Sequence, residues 1–465
     1  MEETNDKEYQ LDIEKELPDS PKMPKGPKIL LLVTLCFSII LIVAVIILGV
    51  LYSKELSKTE DKSEPKPSDA PQTDPTDAPQ PKPTDAPQPD PTDSPQPAPY
   101  PQMDTYAFFG NVYPNLTYDE GGKIINSFKK EGGENYNEAM GEINNGADYE
   151  KNDRNIYDLY IPQYALDRKT ETNGIILWIH GGAWISGSKE QMDMFCKLYS
   201  QQGYISATVG YTLLAEPYKD FNIFRILDEI TASIKAIKAE LKNRGFSEEK
   251  LRLVIAGYSA GAHITLLYSY LIKQFNIIPI DFIINYVGPI GLSKKYFYKV
   301  KSNNETLDES EITQVPVIEQ WMQEGKIIPI FDEKDAVSYM NLFYGNKFTQ
   351  EELNEMVDEE GNIKQDNKNY QKMYNVVKYS FIPEIEDLHK DIKTICIYGG
   401  IDDMVGVTPY AYLKQKADAD GRQLDFIYSR YEGHILIMPF TPDGIQKMRE
   451  VGSLTMKYLK QYFGY

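Results

Sequence analysis

The chain has few of the residues that build metal sites and disulfide frameworks. Its 465 residues include 3 cysteines and 4 histidines. Cys36, Cys196 and Cys396 are far apart, and Cys36 lies in an apolar run, so no disulfide framework is indicated. No two histidines have the spacing of a zinc-binding motif. We therefore expect neither a metal ion nor a cofactor.

Positive charge is also scarce. The chain carries 49 Lys and Arg against 69 Asp and Glu, which gives a net charge of −20 at pH 7. No basic run is interleaved with aromatic residues, and this argues against a nucleic-acid partner. Hydrophobic residues make up 42% of a chain longer than one average domain, so a large core is expected.

One long stretch, residues 29–52, contains no charge at all. As a helix, its 24 residues would extend about 36 Å, which is enough to span the roughly 30 Å hydrocarbon core of a bilayer. A cleaved signal peptide would have a shorter apolar run and a small-residue cleavage site, which "GVLYSKE" lacks. We therefore predict a transmembrane helix after a cytoplasmic tail, residues 1–28. Lysines flank both ends of the run, so charge alone does not decide the topology.

Proline is concentrated after this run. Residues 69–100 form four tandem octads, beginning "DAPQTDPT" and ending "DSPQPAPY". Such a segment favours polyproline II and would reach about 100 Å at roughly 3.1 Å per residue. We interpret residues 53–103 as a disordered stalk whose length is its function. A stalk is most useful outside the cell, so we predict a single-pass protein of the cell membrane with an extracellular C-terminal domain.

Residues 104–465 are expected to form one folded domain, in which short apolar runs alternate with amphipathic stretches. Residues 221–244 place apolar side chains three and four positions apart, as in a helix packed on a core, and Gly245 ends the pattern. The alternation predicts an α/β fold with a mostly parallel sheet under helices. The predicted strands are 156–162, 174–180, 204–211, 251–257, 281–287, 393–399 and 423–429, and two further helices cover 260–273 and about 442–463.

Residues 292–385 interrupt this alternation and are charged, tyrosine-rich and mainly helical in tendency. We interpret them as a cap inserted over one end of the sheet, although a surface region with no role in binding is the alternative. Trp321, Tyr339 and Phe343 are candidate pocket residues, and they fit a plain core equally well.

Two motifs follow apolar strands. "GYSAG" (257–261) would place Ser259 on a sharp strand-to-helix turn with its hydroxyl exposed, as a nucleophile requires. In "HGGAW" (180–184), adjacent glycines let the backbone turn its N–H groups toward a ligand, where they could stabilise an oxyanion.

Together these motifs resemble the α/β-hydrolase family, most closely its hormone-sensitive-lipase-like and bacterial carboxylesterase branch, which includes feruloyl- and acetyl-esterase-like enzymes. The resemblance covers roughly residues 150–290 and 390–465. It implies a mostly parallel eight-stranded sheet and an oxyanion hole formed by Gly181, Gly182 and the N–H of Ala260. Ala183 stands where the family often has a third glycine. Trp184 and Tyr258, which lie within the motifs, are expected to contact substrate.

The family order of nucleophile, acid and histidine then suggests the remaining catalytic residues. His434 lies in a loop before the last helix, the family's position for the base, and Asp402 matches its G-x-x-D-x-x-V pattern. Asp403 stays open as an alternative acid, and His263, four residues after the serine, as an alternative base. His180 is expected to brace the backbone of residues 181–184, here called the oxyanion loop, and His389 is expected to lie on the surface.

The sequence thus predicts a membrane-anchored serine hydrolase, a carboxylesterase acting on short-acyl or aromatic esters through an acyl-enzyme. The substrate would be a small molecule or an ester linked to polysaccharide. The alternatives are a serine peptidase of the same fold and a non-catalytic surface-binding protein.

Overall fold

The computed structural model describes residues 111–117, 154–215, 217, 221–272, 277–302, 307–384, 391–436, 439 and 441–464. The predicted tail, membrane span and stalk lie outside these residues and stay predictions. Within the described part of the chain, no helix combines the length and the apolar character needed to cross a membrane.

An eight-stranded sheet forms the centre of the fold, in the order β1-β2-β4-β3-β5-β6-β9-β10. Strands β1 and β2 run antiparallel to their neighbours, and all other pairs are parallel, so the predicted mostly parallel sheet is confirmed. Its strands are β1 (Asn111–Thr117), β2 (Ile156–Ile161), β3 (Asn173–Ile179), β4 (Ile205–Val209), β5 (Leu251–Tyr258), β6 (Ile280–Tyr286), β9 (Lys393–Gly399) and β10 (Leu424–Ser429); β7 (Tyr298–Val300) and β8 (Ile327–Pro329) form a separate antiparallel pair.

Helices surround the sheet and fill the segment between β6 and β9. They are α1 (Gln163–Leu166), α2 (Asp193–Gln201), α3 (Ile223–Asn243), α4 (Ala260–Ile272), α5 (Glu309–Ile312), α6 (Val315–Gln323), α7 (Glu333–Tyr344), α8 (Gln350–Glu355), α9 (Lys368–Val377), α10 (Pro409–Asp420) and α11 (Pro442–Phe463).

The position of strand β3 explains why its sequence is apolar from Gly174 to Ile179. Successive side chains of a strand point to opposite faces of the sheet. Ile175 and Leu177 join the core cluster that includes residues of α3, α4 and α10, whereas Ile176 and Trp178 join the cluster that includes residues of α2 and α11. All seven residues of β3 are buried, because both faces of the sheet are covered.

Helix α3 begins and ends close to the predicted positions. The side chain of Asn222 accepts hydrogen bonds from the backbone N–H groups of Phe224 and Arg225, which satisfies two of the donors that a helix start leaves free. After the helix ends, Gly245 takes a positive φ of 89°. Such a conformation favours glycine.

Strand β1 was not predicted from the sequence. It contains Pro114 and has a register irregularity between Tyr113 and Leu116, and Asn115 adopts a positive φ of 53°. A proline and a bulge both interrupt the alternation by which a strand is recognised, and an edge strand tolerates them.

The inserted segment, residues 292–385, contains helices α5 to α9 and the pair β7 and β8. The mainly helical expectation is correct for its described residues, while the two-stranded sheet was not foreseen. Asp332 and Thr349 form capping boxes at the starts of α7 and α8.

Candidate active site

Four loops that carry the predicted site residues follow strands of the parallel part of the sheet. Gly181 comes after β3, Ser259 after β5, Asp402 after β9 and His434 after β10. The carboxyl ends of parallel strands lie at the same edge of a sheet, which is where open α/β sheets bind their ligands. The topology therefore brings these four segments together.

Ser259 occupies the single position between β5 and α4 and has a positive φ of 55°. This conformation costs free energy for a residue with a Cβ, and it persists because the surrounding backbone holds it. The Ser259 N–H donates to the carbonyl of Tyr286 over 2.9 Å, and its carbonyl accepts from the N–H of His263 over 3.1 Å. The turn is thus fixed from both sides.

The two glycines of "GYSAG" allow the strand and the helix to approach closely. A Cβ added to Gly257 would lie 2.3 Å from the carbonyl oxygen of Gly261, and one added to Gly261 would lie 2.1 Å from that of Ile179. Both distances are far below van der Waals contact. Only glycine fits either position, which is the physical reason for this spacing around the serine.

The side chains of Ser259, His434 and Asp402 form a continuous hydrogen-bonded chain. His434 Nε2 lies 2.9 Å from Ser259 Oγ, and His434 Nδ1 lies 2.9 Å from Asp402 Oδ2. A carboxylate only accepts, so Nδ1 carries the proton and Nε2 accepts from the serine hydroxyl. Ser259 is 8% exposed and His434 is 4% exposed, so the chain is shielded from solvent.

Asp402 remains ionised although it is completely buried. Burial alone raises the pKa of a carboxyl, but His434 and the N–H groups of Met404 and Val405 outweigh this and hold the pKa of Asp402 below its ordinary value. Those N–H groups donate to Oδ1 over 2.9 and 2.8 Å. Asp403, the alternative acid, is exposed. The structure therefore brings Asp402, and not its neighbour, to His434.

His263, the alternative base, points away from the serine hydroxyl. Its Nε2–H donates to the carbonyl of Ser380 over 2.8 Å, which ties α4 to the inserted segment. Burial lowers the pKa of His263 to about 4, so the ring is neutral at physiological pH. It is a packing residue, and within the described structure its side chain makes no hydrogen bond to the Ser259 hydroxyl.

His180 braces the oxyanion loop, as the sequence suggested. Its Nδ1–H donates to the carbonyl of Gly181 over 2.8 Å, and its ring stacks on Tyr211 with 4.2 Å between centroids. Burial lowers its pKa to about 3. The remaining histidine, His389, lies outside the described residues.

The loop after His180 turns sharply above Ser259. Gly182, Ala183 and Trp184 have positive φ values of 115°, 51° and 64°. A Cβ added to Gly181 would lie 3.1 Å from the Cβ of Ser259, so this backbone passes directly over the serine. Ala183 thus adopts a conformation that glycine would adopt more easily.

Several backbone N–H groups next to the serine in the fold have no acceptor in the described part of the chain. Ala260 is the first residue of α4, and a helix start leaves such N–H groups without an acceptor inside the helix. Within the described residues, no group accepts a hydrogen bond from the N–H of Gly182, Ala183 or Ala260. The helix dipole also favours negative charge at this end.

Aromatic residues of the inserted segment pack on the oxyanion loop. Trp184 makes edge-to-face contacts with Phe343, Tyr339 and His263, with ring centroids 4.9, 6.1 and 5.3 Å apart. Trp321 instead lies buried in α6, with the Lys326 ammonium 5.6 Å from its ring centroid. Two of the three candidate pocket aromatics therefore reach the site region, and Trp321 belongs to the core.

Sequence reasoning missed two contacts in this region. The hydroxyl of Tyr258 donates to the carbonyl of His434 over 2.9 Å, and the carbonyl of Tyr286 receives the Ser259 N–H. Neither contact leaves a signal in the sequence, because each joins residues on different strands or loops.

The strand order and this strand–turn–serine–helix arrangement are those of an α/β-hydrolase fold. Residues 157–327 match the model of the family described as BD-FAE. This span includes Ser259 and the oxyanion loop and ends before Asp402 and His434. The resemblance to α/β-hydrolases of the carboxylesterase branch is thereby confirmed.

Individual relatives share shorter or more distant similarity. The chain is 34% identical over 102 residues to Gut esterase 1 of Caenorhabditis elegans, which is 20% of this chain and 18% of that protein. It thus spans less than a fifth of that relative's length. Esterase B of Lactobacillus rhamnosis is 16% identical, with a TM-score of 0.42 over 68% of this chain and 84% of that one. A truncated carbohydrate esterase from gut microbiota is 14% identical, with a TM-score of 0.46 over 75% of this chain and 96% of that one.

Proposed function

We propose that this protein is a serine carboxylesterase that works through an acyl-enzyme. The observation that carries the proposal is the pair of 2.9 Å contacts that link Ser259, His434 and Asp402. As Ser259 Oγ attacks the ester carbonyl carbon, His434 Nε2 takes the hydroxyl proton. Asp402 keeps the imidazole oriented and stabilises its charged form.

The attack places negative charge on the former carbonyl oxygen. The donors that we propose for this oxyanion are the N–H groups of Gly181, Gly182 and Ala260, as predicted from the sequence. The neighbouring N–H of Ala183, which likewise has no acceptor among the described residues, is added to them. Each donor of this kind typically contributes on the order of 10²–10³ in rate. The bond to the alcohol then breaks, and the leaving oxygen takes the proton from His434.

Deacylation repeats these steps with water. The oxygen of a water molecule attacks the acyl carbon, and His434 accepts a proton from that water. The proton then passes to Ser259 Oγ when the carboxylic acid leaves. No group other than water is consumed, so the reaction needs no cofactor.

The two alternative functions, a non-catalytic binding protein and a serine peptidase, are supported less well. A non-catalytic binding protein would have no need of a strained serine aligned with a buried histidine and an ionised aspartate. A peptidase would use the same three residues, and no observation in the described structure favours an amide over an ester.

For the substrate we propose short-acyl or aromatic esters, free or linked to polysaccharide. The support is the low exposure of Ser259, 8%, together with the aromatic packing of Trp184 on Phe343 and Tyr339 in the loop that follows His180. A shielded serine next to bulky rings favours a small or flat acyl group. Hydrolysis of p-nitrophenyl esters of increasing acyl length tests this, since a maximum at long chains would contradict it.

The Ser259→Ala variant tests the reaction itself. We expect it to lose p-nitrophenyl acetate hydrolysis by about 10³-fold or more and to resist labelling by a fluorophosphonate. Ser269→Ala, a change in the same helix α4, is the control and should keep both properties. Undiminished turnover in Ser259→Ala, or none in the unchanged protein, would rule out the proposal.

We further propose that residues 29–52 anchor the protein in the cell membrane and that the proline-rich stalk presents the esterase outside the cell. The support is the uncharged run and the octads that follow it. The full chain should sediment with membranes and be degraded by protease added to intact cells. A chain lacking residues 29–52 should not sediment, and an esterase protected in intact cells would contradict the topology.

A further inference from the structure

Tyr258 connects the nucleophile turn to the loop that carries the base. It is the last residue of β5 and is bonded in the chain to Ser259. Its hydroxyl donates to the backbone carbonyl of His434 over 2.9 Å, although the two residues are 176 positions apart. The centroids of their rings are 5.4 Å apart.

The same ring also supports the oxyanion loop. A Cβ added to Gly181 would lie 2.9 Å from Cδ1 of Tyr258 and 3.0 Å from its carbonyl oxygen. The backbone of Gly181 therefore rests directly on Tyr258. One residue thus touches the loops of the base and of the oxyanion donors, and it precedes the nucleophile.

We propose that Tyr258 is a positioning residue that keeps His434 in register with Ser259, an inference that rests on the proposed esterase function. The hydrogen bond that His434 Nδ1–H donates to Asp402 orients the imidazole, but it does not fix the backbone from which the ring extends. The Tyr258 hydroxyl fixes that backbone. Since Tyr258 and Ser259 are consecutive, any movement of the turn carries the nucleophile and the base together.

The hydroxyl is suited to this role at all physiological pH values. Burial, with a smaller effect from the charge of Asp402, raises the pKa of Tyr258 far above its ordinary value, so the group stays a donor. Because the hydroxyl is already used inside the protein, we assign Tyr258 this positioning role in place of the substrate contact that the sequence suggested.

Tyr258→Phe removes the hydroxyl and keeps the ring. We expect kcat for p-nitrophenyl acetate to fall about tenfold, the factor that corresponds to one hydrogen bond of ordinary strength, while KM stays within about twofold. The rate of fluorophosphonate labelling should fall by the same factor. Replacing Tyr258 with 4-aminophenylalanine, which retains a donor, should restore most of the rate.

Tyr428→Phe is the matched control. The Tyr428 hydroxyl makes the same kind of bond, 3.0 Å to the carbonyl of Leu307. Among the described residues it makes no hydrogen bond to the three proposed catalytic residues. It should lower the melting temperature about as much as Tyr258→Phe and leave kcat unchanged. A structural role alone would make the two variants alike.

Three outcomes separate this inference from the proposed function. Equal kcat for Tyr258→Phe and the unchanged protein would overturn the inference alone. So would an unchanged kcat with a raised KM, because that pattern marks a substrate contact. An unchanged protein that neither hydrolyses the ester nor reacts with the fluorophosphonate would overturn the proposed function instead.

Discussion

His434 Nε2 lies 2.9 Å from Ser259 Oγ, although 175 positions separate the two residues in the chain. Ser259 follows β5 and His434 follows β10, and the sheet places β6 and β9 between these strands. Both loops leave the sheet at the same edge because all four strands are parallel. The contact is therefore a product of strand order.

The two neighbouring aspartates should differ sharply in their effect on catalysis. Asp402→Asn keeps the side-chain shape but removes the charge that fixes the tautomer of His434, so kcat should fall by about 10³–10⁴-fold. Asp403→Asn, at the exposed neighbour, should leave kcat within about twofold. Steady-state kinetics of both variants decides the assignment, and a larger loss in Asp403→Asn would reverse it.

A methyl group on the oxyanion loop should disturb catalysis more than folding. In Gly181→Ala the new Cβ would press on Tyr258 and on the Cβ of Ser259, at 2.9 and 3.1 Å, and would push the loop away from the serine. We expect kcat to fall by roughly 10²-fold, the scale of one lost oxyanion donor.

Gly452→Ala is the control for that change. Gly452 lies in α11, and an added Cβ meets no atom within 4 Å. Alanine is the better helix former by about 1 kcal/mol, so this variant should be fully active and slightly more stable toward urea. Similar kinetics in the two variants would show that the loop tolerates displacement.

Buried His263 should make the protein less stable in mild acid. Burial lowers its pKa to about 4 from 6.5, so the unfolded chain binds a proton first as the pH falls. The free energy of unfolding therefore decreases as the pH drops from 6.5 toward 4. Between pH 7 and pH 5 this one group should account for about 2 kcal/mol.

His263→Gln isolates that contribution. Glutamine offers an N–H to the carbonyl of Ser380 and does not titrate, whereas His180 and all other groups are common to both proteins. Urea unfolding of each protein at the two pH values gives the comparison. Equal pH dependence in the variant and the parent would mean that His263 does not carry the effect.

Phe343 should act as a core residue that also supports the site. It is completely buried, and its ring contacts Trp184 and His263 at centroid distances of 4.9 and 5.8 Å. Phe343→Ala should lower the free energy of unfolding by about 3–5 kcal/mol, as measured by urea denaturation. A loss below about 1 kcal/mol would indicate that the ring lines an open pocket instead.

Most of the sheet could be predicted from the sequence, because its central strands are apolar on both faces and so stand out as continuous runs. Strand β1 could not, since Pro114 and the bulge beside it remove the alternation. The β7–β8 pair was missed because three-residue strands carry too few side chains to form a pattern.

The candidate site, like the sheet, was predictable from the sequence only in part. The short-range pattern around Ser259 determined the turn, since only glycine fits at positions 257 and 261, and the order of residues together with the family resemblance indicated Asp402 and His434. Only the tertiary structure decided that Asp402 and not Asp403 meets the histidine, that His263 turns toward Ser380, and that the Tyr258 hydroxyl holds the backbone of His434. Local sequence specifies backbone conformation through steric limits on a few neighbouring atoms. Contacts between distant residues depend on which strands the completed sheet places side by side.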